Sequence, residues 1–206
     1  SLNVNLKRLC IGKAAFMYST INSVIMPKNI NELIIGNSAF SYCHNLTIFN
    51  LSLSNGLENF HIGSYALRST AITTITIPIT IKNLTIEQCA FEQCSLLESL
   101  DLSSNVKLEK LYIGYQAFAN SATSSVVMPK NLKVLVVYRN AFSNCNKFKS
   151  FDISSLNNLE ELSISLDHLD PESRNLLDIP KSVKILYLDG IVLPNSDFSM
   201  FRRIKH

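Results

Sequence analysis

The sequence predicts a β-rich solenoid of about eight coils, with two short parallel strands in each coil. The dipeptide Ala-Phe, or a variant of it, recurs at alternating intervals of 24 and 27 residues. A fixed period of roughly 20 to 30 residues is typical of solenoids, in which each unit packs only against its neighbours. Every unit also contains two segments of alternating apolar and polar residues, the pattern of a half-buried strand. The recurrences are Ala15-Phe16, Ala39-Phe40, Ala66-Leu67, Ala90-Phe91, Ala117-Phe118, Ala141-Phe142 and the degenerate His168-Leu169 and Val192-Leu193.

The first strand of each coil follows Ala-Phe and takes two alternating forms. One form, as in residues 72–77, is closed by proline, and the other, as in residues 97–102, is followed by Ser103. Proline has a fixed φ and no amide hydrogen, so it suits the point where the chain leaves a ladder of hydrogen bonds. The full sequence period is therefore 51 residues, and it is marked by Pro27, Pro78, Pro129 and Pro180.

The second strand of each coil has an outward-facing residue in its middle, because side chains alternate between the two faces of a strand. Glycine follows this strand in four coils, where a tight bend would favour it. These glycines are Gly12, Gly36, Gly63 and Gly114. The middle residues are Cys10, Ile34, His61, Thr85, Tyr112, Val136, Ser163 and Tyr187.

Alanine and phenylalanine side by side supply one small and one large residue to every layer of the predicted core. Such layers interdigitate without leaving a void. We expect the loss of one ring, as in Phe91→Ala, to cost about 3 to 5 kcal/mol of stability.

The unbroken period predicts a single domain over residues 1–206, and composition agrees with a packed body. The chain is 47% apolar and 17% charged, and its net charge is only +3. The basic residues do not form the stripe that a nucleic-acid groove would need, and no apolar run reaches the roughly 18 residues of a membrane span. The chain begins inside a repeat, so we expect it to be an excerpt of a longer protein. Residues 184–206 diverge and are predicted to form the C-terminal cap, with a short helix that begins near Asn195.

The repeat resembles the BspA-type (treponemal) class of leucine-rich repeats over nearly the whole chain. One complete coil carries the match through Ala90-Phe91, Cys94, Leu97, Leu100, Leu102, Leu108, Leu111, Ile113 and Gly114. The resemblance implies a leucine-rich-repeat solenoid whose relatives act in adhesion and protein recognition on microbial surfaces. Only alternate units keep the cysteine, and the last two lose Ala-Phe.

The cysteines are interpreted as core residues. Cys43, Cys94 and Cys145 fall in one column two coils apart, about 10 Å, which exceeds the ~7 Å limit for a disulfide. A bridge between Cys89 and Cys94 across a turn stays open as a minor alternative. No cysteine pair has the spacing of a zinc site, and no cofactor is predicted.

The sequence favours a non-enzymatic protein. Catalysis by a cysteine or serine needs a base within hydrogen-bond reach, and Cys43-His44 is the only adjacent pair. Neighbours on such a coil point in different directions, so a core thiol beside an exposed imidazole is the favoured interpretation. A convergent group of histidine and carboxylate in the folded protein would revive the enzymatic alternative.

Two outward columns are candidate binding surfaces for another protein. Tyrosine and other amphipathic residues on a rigid sheet commonly build recognition surfaces, although ordinary packing against a further layer would explain them equally well. For the acidic column a solvated face is the favoured interpretation, and a stripe that binds a cation or a basic partner is the alternative. The candidate residues are Ile34, His61, Thr85, Tyr112, Val136 and Tyr187 on the second strands, and Asp101 and Asp152 on the first strands, where Asp178 and Asn50 share their column.

The sequence leaves two functions open. One is an adhesion or recognition segment of a surface or secreted protein, as the resemblance implies. The other is an intracellular interaction scaffold or a subunit of an assembly, which unpaired cysteines would favour. Three sequons bear on the choice, because a sugar on any of them would exclude the second function. They begin at Asn45, Asn50 and Asn83.

Overall fold

The structure is a computed structural model that describes residues 5–148, 152–165 and 179–189. All paired strands in these residues are parallel. One side of the molecule is a sheet of eight strands, each paired with the strand one coil later. We call this the long sheet. Its strands are β1 (Arg8–Ile11), β3 (Glu32–Ile35), β5 (Asn59–Ile62), β7 (Asn83–Ile86), β9 (Lys110–Ile113), β11 (Val134–Val137), β12 (Glu161–Ser165) and β13 (Ile185–Asp189).

The opposite side is a second, discontinuous wall of shorter strands. Three of them pair as β2 (Ser23–Ile25), β4 (Ile48–Asn50) and β6 (Thr74–Thr76), and two pair as β8 (Ser99–Asp101) and β10 (Ser125–Val127). We call this the short-strand wall. The middle residue of each short strand points into the core, as Phe49 and Leu100 do.

Equivalent residues of successive coils lie directly over one another. In the long sheet Leu9 pairs with Leu33 and Leu33 pairs with Phe60, and the same column continues to Leu186. Residues paired in this way are 24 or 27 positions apart in the sequence. The eight stacked strands mark the limits of about seven turns of the chain. The predicted solenoid of parallel strands is therefore confirmed.

The Ala-Phe segments between residues 14 and 143 form a third ladder at one corner of the coils. The N–H of Phe16 donates to the carbonyl of Ala39 in the next coil at 2.8 Å, and Phe91 N–H donates to Ala117 in the same way at 2.7 Å. This geometry places the residue before Ala and the second residue after Phe in the left-handed region, as at Gln116 (φ 53°) and Asn120 (φ 56°). Twelve non-glycine residues among those described adopt it. Single residues tolerate this conformation only where the surrounding structure enforces it.

Phenylalanine rings stack along the core behind this ladder. Phe118 lies between Phe91 and Phe142, with ring centroids 5.1 and 5.3 Å apart and interplanar angles of 10° and 8°. Phe16 and Phe40 stack in the same way at 5.1 Å. Leu67 interrupts the column. The rings of one coil therefore rest on those of the next.

The reason for glycine after the long-sheet strands differs from the one expected from the sequence. None of the five glycines in the described residues has a left-handed φ. A Cβ added at Gly114 would instead lie 2.6 Å from the carbonyl carbon of Glu87 and 2.7 Å from the amide nitrogen of Gln88. Gly36 and Gly63 are crowded by the preceding coil in the same way. Gly36, Gly63 and Gly114 are therefore required for close approach between coils and not for a tight bend, whereas a Cβ at Gly12 would meet no atom within 4 Å.

The predicted helical cap is not seen in the described residues, which contain no helix. The first part of residues 184–206 instead continues the long sheet as β13. The helix expected after Asn195, the degenerate units at His168-Leu169 and Val192-Leu193, and Asp178 lie outside the described residues.

Candidate recognition surface

The outward face of the long sheet carries the middle column predicted from the sequence. Its members are aligned coil by coil, since Ile34 pairs with His61, His61 with Thr85 and Thr85 with Tyr112. These four side chains are half-buried, and Tyr187 at the far end is 59% exposed. Val136 is the exception, because it is only 6% exposed and offers little surface to a partner.

A polar column flanks the middle column on the same face. Arg8 pairs with Glu32 through an Nε to Oε2 distance of 3.2 Å. The amide of Asn83 donates to the side-chain oxygen of Asn59 at 2.7 Å. These side chains link successive coils across the surface.

His61, Glu87 and Ser64 form a cluster at the centre of the long sheet. The Nε2 of His61 lies 3.1 Å from Glu87 Oε1. The other carboxylate oxygen accepts from the Ser64 hydroxyl at 2.7 Å and from the Ser64 amide at 3.0 Å. The carboxylate thus stands between the serine and the imidazole. In a nucleophile–base–carboxylate relay the imidazole would stand between the other two groups, so this order does not activate the serine.

Two clefts open on this face beside the cluster. The smaller, of about 290 Å³, is lined by Ile34, His61 and Thr85 among others. The larger, of about 520 Å³, brings Thr85 and Tyr112 together with three residues that sequence analysis did not select. They are Glu87, Tyr115 and Tyr138.

Comparison of equivalent positions in the repeats could have identified Glu87 and Tyr138 from the sequence. Glu87 and Tyr138 occupy the position that is glycine in four other coils. The break in this glycine pattern is the sequence signal that could have drawn attention to them. Tyr115 follows Gly114 directly and is 39% exposed.

Asp101 and Asp152 lie on the other side of the molecule and do not join the long-sheet face. Asp101 Oδ1 accepts from the Ser103 amide at 2.9 Å, and Asp152 Oδ1 accepts from the amide and hydroxyl of Ser154 at 2.8 and 2.6 Å. These hydrogen bonds lower the pKa of both carboxyls. Asn50 makes the equivalent bond to the Ser52 amide at 2.8 Å. Asp101 therefore closes the turn after β8, Asp152 makes the equivalent bonds to Ser154, and both carboxylates stay exposed.

A larger opening, of about 640 Å³, lies at the edge of the long sheet where its strands begin. Its wall is a column in which glutamate and lysine alternate from coil to coil. Glu58 pairs with Lys82 at 2.9 Å, and the pairs Glu109–Lys133 and Glu160–Lys184 are each 3.1 Å apart. We call this column the charge ladder. Each of these charges faces an opposite charge on a neighbouring coil, and Lys107 also lines the opening.

The cysteine column lies in the core, as predicted. The Sγ of Cys43, Cys94 and Cys145 donates to the carbonyl oxygen of the preceding coil at 2.9, 3.1 and 3.0 Å. Ser19, Thr70 and Ser121 of the intervening coils contact the same sulfurs. Cys89 and Cys94 are both free. Among the described residues no group of three histidine, cysteine or acidic side chains could hold a metal ion.

Cys89 belongs to a separate cluster at the Ala-Phe corner. Arg68 lies 3.1 Å from a Glu92 carboxylate oxygen, although its N–H does not point at that oxygen. The rings of Tyr42 and Tyr65 lie 5.3 and 5.6 Å from the guanidinium carbon. Burial, followed by the charge of Glu92, raises the pKa of Cys89. The cysteine is therefore a poor nucleophile, and the cluster is a structural contact between coils.

Comparison with known proteins gives a family and a fold. The family model described as BspA type leucine rich repeat region matches residues 9–149 in six copies. A leucine-rich repeat protein of T. pallidum is 19% identical, with a TM-score of 0.52 over 96% of this chain and 77% of that one. A leucine-rich repeat protein from Bacteroides ovatus is 17% identical, with a TM-score of 0.40 over 91% of this chain and 61% of that one.

No curated protein sequence is detectably similar to the chain. The described residues contain no helix that is long and apolar enough to cross a membrane.

Proposed function

Because this chain belongs to the BspA-type leucine-rich repeat family, we propose that it is a non-enzymatic recognition solenoid that binds another protein through the outward face of its long sheet. Leucine-rich repeat proteins generally bind proteins and are typically not enzymes. The observation that carries the proposal is the in-register column of Ile34, His61, Thr85 and Tyr112, half-buried beside two clefts. A rigid surface with amphipathic side chains and shallow clefts suits a protein partner.

We further propose that the chain is part of a microbial surface or secreted protein and acts in adhesion. This is the role that the family resemblance implies. Asn45 gives this proposal its most direct test, because a sugar attached to it in protein from the native source would support a secreted protein. It is the exposed sequon asparagine in a turn, whereas Asn83 is hydrogen-bonded to Asn59 and Asn50 to Ser52.

A second candidate is an intracellular scaffold or assembly subunit, and the cysteines favour it. Cys43, Cys94 and Cys145 serve as hydrogen-bonded core residues rather than as cross-links. Thiols counted in denaturant on protein from its native source separate the two. Five free thiols support the scaffold, whereas a sugar attached to Asn45 in that same material excludes it.

Site-specific photocrosslinking tests the binding face. The amino acid benzoylphenylalanine is placed at Thr85 on the long sheet or at Thr76 on the short-strand wall. Both are threonines on strands, so the pair is matched. We expect protein from the native source to be captured at Thr85, and capture at Thr76 alone would contradict the proposal.

The captured protein is then purified for a binding titration. The substitution Thr85→Arg places a long charged side chain on the face and is expected to raise the dissociation constant about tenfold or more, equivalent to ~1.4 kcal/mol. Thr76→Arg is the control, and its dissociation constant should stay within about twofold of the unmodified protein, as expected for a residue outside the interface. The opposite ranking would move the binding site to the short-strand wall.

A further inference from the structure

The larger cleft on the long sheet is made by a missing side chain between two large ones. Glu87, Gly114 and Tyr138 occupy equivalent positions in three successive coils, and all three line the cleft. Since Gly114 has no side chain, Glu87 stands on one side of the gap and Tyr138 on the other. Tyr112 and Tyr115 from the middle coil complete the wall. We call this the tyrosine cleft.

Three tyrosines give the cleft a surface that attracts cations. Tyr138 is 54% exposed and Tyr115 is 39% exposed, so their rings are accessible to a ligand. The faces of aromatic rings carry partial negative charge, which favours ammonium and guanidinium groups over neutral groups of similar shape.

Glu87 adds a fixed negative charge to these rings. Two hydrogen bonds hold its carboxylate in place, from the Ser64 hydroxyl at 2.7 Å and the Ser64 amide at 3.0 Å. His61 Nε2 lies 3.1 Å from the other carboxylate oxygen. A carboxylate has about four lone-pair sites, so the Ser64 bonds leave acceptor capacity for a ligand. Among the described residues that line the cleft, Glu87 is the single charged side chain.

The size of the cleft and the charge of the chain limit the occupant further. A volume of about 520 Å³ admits one long side chain with its flanking backbone, not a folded domain. The whole chain carries a net charge of +3, so it has no long-range attraction for a polycationic partner. Recognition at this point must be local.

We infer that the tyrosine cleft receives a single lysine or arginine side chain of the protein bound by the long sheet. The inference rests on the proposed function and specifies the chemistry of the partner at one position. The positive group lies against the rings of Tyr112, Tyr115 and Tyr138 and beside the carboxylate of Glu87, while its methylene stem covers the apolar part of the cleft.

Small probes test the inference without the partner. The amino-acid derivatives N-acetyl-lysine methylamide and N-acetyl-arginine methylamide are titrated into protein with isotope-labelled tyrosine rings, and ring chemical shifts are followed by NMR. N-acetyl-norleucine methylamide is the uncharged control. We expect saturable, millimolar binding of at least one basic probe that shifts the rings of Tyr112, Tyr115 and Tyr138, and at least about fivefold weaker binding of the norleucine probe.

Matched variants separate the contributions of charge and ring. Glu87→Gln removes the charge and keeps the shape, and Tyr115→Leu removes the ring, so each should weaken the basic probe by about threefold or more. Tyr115→Phe keeps the ring and should bind like the unmodified protein. Tyr18→Leu removes an exposed tyrosine far from the cleft and is the control. Circular dichroism and thermal unfolding verify that each variant is folded.

Two results would overturn the inference. One is equal binding of the norleucine and basic probes, and the other is unchanged affinity in both Glu87→Gln and Tyr115→Leu. If either occurs while crosslinking at Thr85 still captures a partner, the cleft assignment is wrong and the proposed function stands. Crosslinking only at Thr76 would remove the proposed function whatever the probes show.

Discussion

The thiol of Cys94 donates a 3.1 Å hydrogen bond to the backbone oxygen of Leu67 in the preceding coil. Thr70 contacts the same sulfur at 3.4 Å, so the thiol links Cys94 to the coil below through both a side chain and the backbone. Complete burial raises the pKa of Cys94 to about 11, because a thiolate there would lose its hydration. The stability of the solenoid should therefore depend on pH in the alkaline range.

This coupling predicts a loss of stability between pH 9 and pH 11. The unfolded thiol titrates near 9.0 and the folded one near 11, so the unfolded state loses its proton first and the stabilisation declines as pH rises through this range. The loss should be on the order of 2 to 3 kcal/mol. Other groups also titrate here, so urea unfolding of the protein is compared with that of Cys94→Ser, whose hydroxyl does not ionise. Parallel pH profiles for the two proteins would contradict the prediction.

Alanine at Gly114 should destabilise the protein, because its Cβ would lie 2.6 Å from the backbone of Glu87. Overpacking of this kind typically costs about 1 to 3 kcal/mol. Gly12 is the matched control, since a Cβ there meets no atom within 4 Å, and Gly12→Ala should stay within about 0.5 kcal/mol. Denaturant unfolding measures both. Equal effects would show that the glycines serve backbone conformation and not coil spacing.

Removing a ring from the phenylalanine stack should cost most in its interior. Phe118 is fully buried between two rings, so Phe118→Ala should destabilise the protein by about 3 to 5 kcal/mol. Phe118→Leu should cost much less, because Leu67 already occupies the same column in another coil. Phe16→Ala should also cost less, since that ring is 43% exposed. Calorimetric or urea unfolding of the three variants checks this order, and a Leu variant as damaging as Ala would argue against tolerance within the column.

Asp101 should stabilise the turn after β8 in its charged form. Its pKa is lowered by hydrogen bonds from Ser103, so its contribution is present above the unfolded pKa and is lost as pH falls through the folded pKa. Asp101→Ala should therefore reduce the midpoint of thermal unfolding at pH 7, and the difference should shrink towards pH 2. Asp101→Asn, which keeps an acceptor as Asn50 does in its coil, should retain part of the effect. A difference that is independent of pH would assign the effect to strand propensity.

Periodicity alone predicts most of the architecture. Alternating apolar residues identify both strands of a coil, and equal spacing requires that Leu33 lie over Leu9, as it does. The Ala-Phe corner is different. Its ladder depends on left-handed residues, and although Asn140 and Asn144 are favourable there, Tyr42 and Cys89 are not. Sequence propensity gives no sign of a conformation that tertiary hydrogen bonds enforce.

The candidate surface was only partly predictable for a related reason. The middle column, including Thr85 and Tyr112, follows from strand periodicity. Glu87 and Tyr138 lie beyond the strand ends, and their role emerges only once the space above Gly114 is seen. Val136 fits the periodic pattern, yet it is covered by its surroundings. Periodicity states which way a side chain points but not how much of it its neighbours leave uncovered.

The charge ladder distinguishes even from odd coils. Deleting the one coil that carries Lys82 would bring Glu58 beside Glu109, and like charges on neighbouring strands repel. Excising two successive coils would leave glutamate facing lysine throughout. A gene encoding such a chain should therefore tolerate duplication or deletion of 51-residue units far better than that of a single coil, so viable length variants should differ by whole pairs.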